Sequence, residues 1–210
     1  MAGIRNALIV APHPDDETIG AYGLIRALKS RSARVRIVVV TDGAGSHPNS
    51  IRWPRPRLVA ERRRETLAAM RRIGVGAGEV TFLGLPDGGL AATSGVDTVL
   101  RRAASRCAPD LLVVPAADDD HPDHRRVAAA LTRSPARRLQ YLVWPNRNTA
   151  SRRASHMLRL GLLAVAKRGA IRRYRSQMGA ITDDSQGFAI SRAELAAFSA
   201  PVERFREAPR

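Results

Sequence analysis

Cysteine, lysine and aromatic residues are scarce in this chain of 210 residues. Its single cysteine, Cys107, excludes an internal disulfide and a cysteine-rich zinc site, so a bound metal ion would need histidine and carboxylate ligands. No apolar run approaches the roughly 20 residues of a membrane span, and the N-terminus lacks a signal-peptide pattern. We therefore expect a soluble, cytoplasmic protein without a transmembrane segment.

Acidic residues are also few, since 19 Asp and Glu face 35 Lys and Arg and leave a net charge of +16. Lys29 and Lys167 are the only lysines, an arginine skew that codon bias in a GC-rich genome would also produce. From His124 to Thr182 the chain has no acidic residue but 14 basic ones, which predicts a positive surface on that side. Such a surface suits nucleic acid, anionic lipid or a phosphorylated small molecule, and charge alone does not choose among them.

Short β-branched runs alternate with helical patterns along the chain, and the strands are apolar on both faces. Predicted strands cover residues 7–10, 35–41, 80–83, 111–115, 140–144 and 156–160. Predicted helices cover residues 19–30, 56–73, 96–107, 124–133 and 162–175. This alternation predicts an α/β fold with a Rossmann-like, mostly parallel sheet flanked by helices, and one domain over residues 1–210.

Polar residues follow the predicted strands, where ligands bind in open α/β sheets. They are His13, Asp15 and Asp16 after the first strand, Asp42 after the second, Asp87 after the third, and the acidic run before His121 after the fourth. Because the carboxyl ends of parallel strands share one edge, we expect these side chains to converge there.

Two histidine-containing motifs stand between a predicted strand and a helix: His13-Pro14-Asp15-Asp16-Glu17 and His121-Pro122-Asp123-His124. A histidine and a carboxylate three residues apart on a proline-stiffened turn can point at a single ion. Two histidines and one aspartate with an open coordination position suit a catalytic zinc site. The competing interpretation is that Asp15 and Asp16 cap the helix and the histidines are ordinary turn residues. A dinucleotide site would need Gly-x-Gly-x-x-Gly, which the first turn lacks.

Together the two motifs resemble those of the metal-dependent de-N-acetylases of the LmbE/PIG-L family. Further segments that look like the family's are Thr41-Asp42-Gly43, Arg62 to Glu65, Leu83 to Gly88 and Lys167 to Gln177. The match runs over roughly residues 7 to 178 and leaves 178–210 as a C-terminal extension. The resemblance implies a hydrolase that removes an acetyl group from an N-acetylated amino sugar, an N-acetylglucosamine conjugate.

The resemblance also implies the roles of five residues. His13, Asp16 and His124 would bind a divalent ion, usually Zn²⁺, with Fe²⁺ as the alternative. Asp15 would be the general base for a water molecule that attacks the amide carbonyl. His121 would stabilise the oxyanion or protonate the departing amine.

Other residues are expected around this centre. Arg62, Asp87 and Asp42 are predicted to bind the substrate, with Arg63 or Arg64 replacing Arg62 if the helix phase differs. Asp123 would orient a histidine or cap its helix. Glu17 would hydrogen-bond near the site or favour the helix N-terminus electrostatically.

A second hypothesis, from a different class, is a basic protein that binds anionic lipid or nucleic acid around a non-catalytic metal site. Asp15 weighs against it, because a structural site needs no base. The net charge also allows a combined interpretation, in which the amino-sugar substrate is anionic or lipid-linked. Nucleic acid is then the less favoured partner, peripheral membrane contact is left open, and the oligomeric state is unknown.

Overall fold

One continuous seven-stranded sheet organises the computed structural model, which describes residues 3–143 and 154–208. Its strands are β1 (Asn6–Ala11), β2 (Arg34–Thr41), β3 (Val80–Leu85), β4 (Leu111–Pro115), β5 (Arg137–Tyr141), β6 (His156–Arg159) and β7 (Val202–Glu207). Their order is β3-β2-β1-β4-β5-β7-β6. The first five are parallel, and β7 is antiparallel to both β5 and β6. The predicted α/β fold with a mostly parallel sheet is confirmed.

Helices cover both faces of this sheet. They are α1 (Asp16–Lys29), α2 (Arg55–Arg71), α3 (Val96–Cys107), α4 (Pro122–Ala130), α5 (Leu163–Ile171) and α6 (Arg192–Phe198). Alternate residues of β1 point to opposite layers: Ile9 joins the core under α1, α2, α5 and α6, whereas Leu8 joins the core under α3 and α4. Burial on both faces explains why the central strands are continuous apolar runs. No helix of the described residues is long and apolar enough to cross a membrane.

The fifth strand lies earlier than predicted. Strand β5 covers Arg137–Tyr141 instead of 140–144, because these residues pair one by one with Leu111–Pro115 of β4. The polar residues Arg137, Arg138 and Gln140 conceal this strand from a search for apolar runs. Trp144, the predicted end, lies outside the described residues.

Four helices differ from their predicted bounds, and α2 (Arg55–Arg71) does so by only one residue at its start and two at its end. Helix α1 begins at Asp16, three residues before the predicted start, so the first histidine motif runs directly into the helix. Helix α4 covers Pro122–Ala130 and begins within the second motif. The helix predicted over 162–175 ends at Ile171, and a separate 3₁₀ turn occupies Arg175–Gln177.

Candidate metal centre and active site

A strained turn between β1 and α1 carries the first motif. The backbone of Asp15 has φ 135° and ψ −25°, a conformation that L side chains rarely adopt. Thr18 N and Ile19 N each donate to the Asp15 carbonyl at 2.9 Å. His13 N donates to Asp16 Oδ2 at 2.8 Å. Strain of this kind costs about 1–3 kcal/mol and persists where surrounding bonds over-determine the backbone, commonly at functional sites.

Three ligand-type atoms from both motifs meet beside this turn. Asp16 Oδ2 lies 3.1 Å from His13 Nδ1 and 3.2 Å from His124 Nε2, and the two nitrogens are 3.2 Å apart. Nitrogen and oxygen ligands of a tetrahedral zinc ion lie about 3.3 Å from one another. The donor set and its spacing therefore fit a small divalent ion, with room for a further ligand on the cavity side.

Carboxylates face the remaining ring nitrogens of both histidines. His13 Nε2 lies 3.2 Å from Asp87 Oδ1 and 3.4 Å from Asp123 Oδ2. His124 Nδ1 lies 3.1 Å from Asp119 Oδ2. Neither outer nitrogen forms a hydrogen bond with full geometry, but carboxylates at these distances favour a proton on it and so leave the inner nitrogen for a metal ion.

Asp119 was predicted only as part of the acidic run before His121 and was given no role of its own, although it is buried against His124. Its Oδ1 also accepts a hydrogen bond from His121 N at 2.9 Å, so one carboxylate braces both histidines of the second motif. Three consecutive aspartates precede His121, and nothing in their sequence distinguishes Asp119 from its neighbours. Which of the three aspartates points inward depends on the conformation of the folded loop.

Two further sets of side chains in the described residues could also hold a cation. The ligand atoms of His13, His121 and His124 lie within 4.8 Å of one another, as do those of His13, Asp87 and Asp123. Both sets overlap with the His13, Asp16 and His124 centre. We favour the set with Asp16 because its three ligand atoms lie 3.1–3.2 Å apart and a carboxylate faces the other ring nitrogen of each of its histidines.

Burial and close charges shift the pKa values in this cluster. Burial raises the pKa of Asp15 to about 8, against the opposing charge of Arg62. Burial alone would raise the pKa of Asp16 as well, but His124 and His13 hold it well below its usual value. Burial would lower the pKa of His124, yet Asp16 and Asp119 raise it to about 9. His121 has a lowered pKa, through burial and the charges of His13 and His124.

Arg62 holds the turn that carries Asp15. Its guanidinium donates to Gly43 O at 3.1 Å, to Asp15 Oδ2 at 3.1 Å and to the Pro14 carbonyl. The neighbouring arginines point elsewhere, since Arg63 lies over the Phe82 ring and Arg64 pairs with Glu61. The helix phase thus brings Arg62, and neither neighbour, to the cavity.

The other two predicted substrate-binding residues differ in position. Asp87 lines the cavity and accepts a hydrogen bond from Gly45 N at 2.9 Å. Asp42 accepts from Ala44 N at 3.0 Å and pairs with Arg55, and the described residues that line the cavity do not include it. The structure therefore brings Asp87, but not Asp42, to the cavity wall.

Glu17 is fully buried behind the first motif, and its partner comes from far along the chain. Its Oε1 accepts from Tyr174 Oη and from Thr18 Oγ1 at 3.0 Å, and its Oε2 accepts from Asp15 N at 3.2 Å. Burial raises the pKa of Glu17, with the Tyr174 hydrogen bond opposing it. Sequence reasoning did not find Tyr174, because no local pattern links residues so far apart.

Asp123 is equally buried but bonds to the β3–α3 loop. Its carboxylate accepts from Gly88 N at 2.8 Å and from Leu90 N at 3.1 Å. Its Oδ2 also lies 3.4 Å from His13 Nε2. His121, which begins α4 as its N-cap, accepts from Asp123 N through Nδ1 at 3.2 Å.

A cavity of about 190 Å³ opens over this cluster. Its polar wall is formed by His13, Asp15, Asp16, Ser46, Arg62, Asp87, His121, His124 and Gln177, and its apolar wall by Ile19, Val143, Phe188 and Phe198. Gln177 Nε2 donates to Ser46 Oγ at 3.3 Å and so links the C-terminal part of the chain to the polar wall. A ligand with both polar groups and a small apolar group would match the two walls.

Fold and site together define a class, the Rossmann-like α/β proteins with a two-histidine, one-aspartate centre at the carboxyl edge of the sheet. Within that class, residues 8–134 match the family described as PIG-L: GlcNAc-PI de-N-acetylase, and the chain belongs to that family.

Named relatives show the same relationship in sequence and fold. The chain is 31% identical over 140 residues to 2'-N-acetylparomamine deacetylase of Streptomyces fradiae, which covers 59% of this chain and 50% of that protein. It thus spans about half the length of that curated relative. The fold is shared with N,N'-diacetylchitobiose deacetylase from Pyrococcus horikoshii at TM-score 0.72 and 24% identity, over 83% of this chain and 71% of that one. A conserved protein of Thermus thermophilus matches at TM-score 0.74 and 24% identity, over 97% and 94% of the two chains.

Proposed function

We propose that this protein is a metal-dependent hydrolase that removes the acetyl group from an N-acetylated amino sugar, an N-acetylglucosamine conjugate. The observation that carries the proposal is the convergence of His13, Asp16 and His124, with ligand atoms 3.1–3.2 Å apart, beside a strained and buried Asp15. We further propose Zn²⁺ as the resident ion and Fe²⁺ as the alternative. Residues 1–210 as one domain and a cytoplasmic location stay predictions.

The compared proteins support this choice of substrate. The family description names N-acetylglucosaminyl phosphatidylinositol in abbreviated form, and two relatives are named as deacetylases of 2'-N-acetylparomamine and N,N'-diacetylchitobiose. All three names point to removal of an acetyl group from nitrogen. An anionic or lipid-linked conjugate is a finer proposal, supported by the net charge of +16.

In this scheme Asp15 moves the proton during amide hydrolysis. Bound by His13, Asp16 and His124, a divalent ion would supply Lewis-acid polarisation of the amide carbonyl and would acidify water. In its ionised form, whose share grows as the pH rises towards its pKa of about 8, the Asp15 carboxylate lies 3.1 Å from Arg62 and accepts the proton of the attacking water. It then donates that proton to the departing amine, so Asp15 is a carboxylate again at the end of the reaction.

His121 is proposed as the donor to the developing oxyanion. Its Nδ1 accepts from Asp123 N, so a neutral ring carries its proton on Nε2. The lowered pKa of His121, caused by burial and by neighbouring histidines, favours that neutral ring. A neutral, preoriented N–H in a partly buried cavity is an effective oxyanion donor.

Arg62 and Asp87 are proposed to act mainly by position. Arg62 already donates to two carbonyls and to Asp15, and Asp87 accepts from Gly45 N while facing His13 Nε2. Both line the cavity, so contacts with substrate hydroxyls remain part of the prediction. A non-catalytic binding protein, the second hypothesis, leaves the strained Asp15 without a purpose.

The decisive experiment measures primary amine released from a panel of N-acetylglucosamine conjugates. Wild-type protein loaded with Zn²⁺ or Fe²⁺, chelator-treated protein and an Asp15→Asn variant are compared. We expect metal-dependent release that falls by about 10²–10⁴-fold in Asp15→Asn at unchanged metal content. Asp120→Asn, which removes an exposed carboxylate near His121, is the matched control.

Two results would contradict the proposal. Full activity in Asp15→Asn would remove the assigned base. Absence of release across the panel, from protein that binds one metal ion per chain, would favour the non-catalytic hypothesis.

A further inference from the structure

The cavity over the metal centre has two walls that come from different parts of the chain. All the proposed metal ligands lie within residues 8–134, the part that matches the family. The apolar wall differs, because only Ile19 comes from that part, whereas Val143, Phe188 and Phe198 follow it in the chain. The family relationship therefore accounts for the chemistry of the site but not for the shape of this wall.

The apolar wall is the rim of the hydrophobic core. Ile19, Val143 and Phe198 are buried and belong to the core under α1, α2, α5 and α6, and Phe188 packs against that core. The backbone of Phe188 is held to the polar wall, since Phe188 N donates to Ser46 O at 2.8 Å. Side chains packed in this way yield little, so the wall limits the size of a group placed against it.

The acyl group is the part of an N-acylated sugar that suits this wall. Such a molecule carries hydroxyl groups on one side of its amide and a hydrocarbon group on the other, which match the polar and the apolar wall respectively. The apolar wall also begins beside the metal centre. Ile19 stands three residues after Asp16 on α1, and Ile19 N donates to the Asp15 carbonyl at 2.9 Å. An amide carbonyl at this centre would therefore place its acyl substituent next to Ile19.

A second, smaller cavity lies behind the apolar wall. It measures about 20 Å³, enough for about one water molecule. Ile19, Val143 and Phe198 line both cavities and so form the partition between them. The rest of its lining includes the buried ion pair of Lys167 and Glu203. Truncation of a partition side chain would therefore join the two spaces.

We propose that the apolar wall restricts the site to N-acetyl groups and that Phe198 sets this limit. A longer acyl chain would have to displace packed side chains of the core, and such overpacking is unfavourable. Phe198 has the largest side chain of the three partition residues, so its truncation frees the most space. The inference rests on the proposed hydrolysis of an N-acylated amino sugar. It makes Phe198 a specificity-determining residue that takes no part in proton transfer.

The test compares the methyl glycosides of N-acetyl-, N-propionyl- and N-butyrylglucosamine. Each hydrolysis consumes one water molecule and releases the amine together with acetate, propionate or butyrate, so amine release measures all three alike. We expect wild type to prefer N-acetyl over N-propionyl by about 10–200-fold in kcat/KM, and Phe198→Ala to reduce this ratio at least about tenfold. The ratio does not depend on the amount of folded protein, so a loss of stability in the variant does not obscure the result.

Leu195→Ala is the matched control. Leu195 is buried on the same helix as Phe198, but the described residues that line either cavity do not include it. Its truncation should loosen α6 in a similar way and leave the ratio unchanged. Phe198→Leu, a milder change, should give an intermediate ratio. Binding of the same three glycosides to Asp15→Asn protein, measured by calorimetry, should follow the same order without turnover.

Two results would overturn the proposal. The first is equal kcat/KM for the acetyl and propionyl glycosides in wild type, which would leave the hydrolase in place without selection by acyl size. The second is a ratio that changes as much in Leu195→Ala as in Phe198→Ala, since a loosened α6 would then explain it. Failure of the proposed function gives a different pattern: no glycoside releases amine, while the calorimetric order still supports the role of the apolar wall.

Discussion

Two buried groups of charged residues contact α1, and they differ in how completely their charges and hydrogen bonds are paired. The cavity cluster, defined as His13, Asp15, Asp16, His121 and His124, crowds nitrogen and oxygen atoms at 3.1–3.2 Å beside a strained backbone. The second group is the ion pair of Lys167 and Glu203. Glu203 also accepts from Gly23 N at 2.8 Å and from Leu24 N at 3.0 Å.

The second group repairs a break in the helix. Ala21 has non-helical φ −140° and ψ 16°, so the amides that follow it lose their helical acceptors. Glu203 supplies those acceptors and Lys167 neutralises it, which leaves this carboxylate fully satisfied. The difference indicates that Lys167 and Glu203 stabilise the fold, whereas the cavity cluster is arranged to bind something further.

Glu203→Ala should produce the largest loss of stability. The change leaves the Lys167 ammonium buried without its counter-ion and two amides of α1 without acceptors. We expect the free energy of unfolding to fall by about 3–5 kcal/mol, measured by urea denaturation. If Lys167 and Glu203 are purely structural, the kcat of the remaining folded protein stays near that of wild type.

The matched control for this change is the pair Lys167→Met and Glu203→Gln. It removes both charges but keeps an amide oxygen for Gly23 N or Leu24 N, and should recover most of the loss. A larger loss in the pair than in Glu203→Ala would contradict the view that an unpaired charge is the main cost.

Asp119→Asn tests whether the cavity cluster is arranged for a metal ion. Its carboxylate faces His124 Nδ1 at 3.1 Å, and its loss makes His124 a weaker ligand. We expect about 10–100-fold lower metal affinity in a titration with a competing chelator. Asp120→Asn again serves as the control. Equal affinities for wild type and Asp119→Asn would mean that the carboxylate only shapes the loop.

Tyr174→Phe addresses the connection between the metal centre and the C-terminal part of the chain. It removes the hydroxyl that donates to Glu17 Oε1, at a cost of about 1–3 kcal/mol in stability. Because Glu17 also accepts from Asp15 N, we expect kcat to fall while KM changes little. Addition of Glu17→Gln should be strongly non-additive, whereas Tyr22→Phe provides a control for loss of a tyrosine hydroxyl outside the cavity. Proportional changes in kcat and KM would argue against positioning of Asp15.

The sequence alone predicted the apolar strands and the side chains that meet at the carboxyl edge of the sheet. Strand β4 was predicted at its observed bounds, Leu111–Pro115, because it is a continuous apolar run between turn residues. The convergence of His13 and His124, 111 residues apart, followed from the rule that parallel strands share a carboxyl edge. The family assignment followed from the same two motifs and is confirmed by the match over residues 8–134.

The contacts that the sequence did not predict join residues that are far apart along the chain or depend on the fold of a loop. Lys167 is on a basic stretch, and its burial requires Glu203, 36 residues further along the chain. Tyr174 reaches Glu17 across 157 residues. Asp119 looks identical to its two aspartate neighbours until the loop is folded. Periodicity and motif spacing carry no signal for such contacts, because they describe only what lies within a few turns of chain.

Substitution of the exposed Asp183 should have the smallest effect on stability, and it shows how little an exposed carboxylate contributes compared with the two buried groups. Its carboxylate accepts from Arg52 N and Ser50 Oγ, both at 2.8 Å, and these hydrogen bonds lower its pKa below 3.8. A carboxyl group whose pKa is lower in the folded protein stabilises it above pH 3.8, and this contribution is lost as the pH falls through the folded value. Asp183→Asn should therefore lower Tm slightly at pH 7, and the difference from wild type should shrink as the pH is lowered through 3.8 in parallel melts. A difference that persists unchanged at the lowest pH would show that Asp183 acts through shape and not through charge, and only the buried groups would then carry the electrostatic part of the stability.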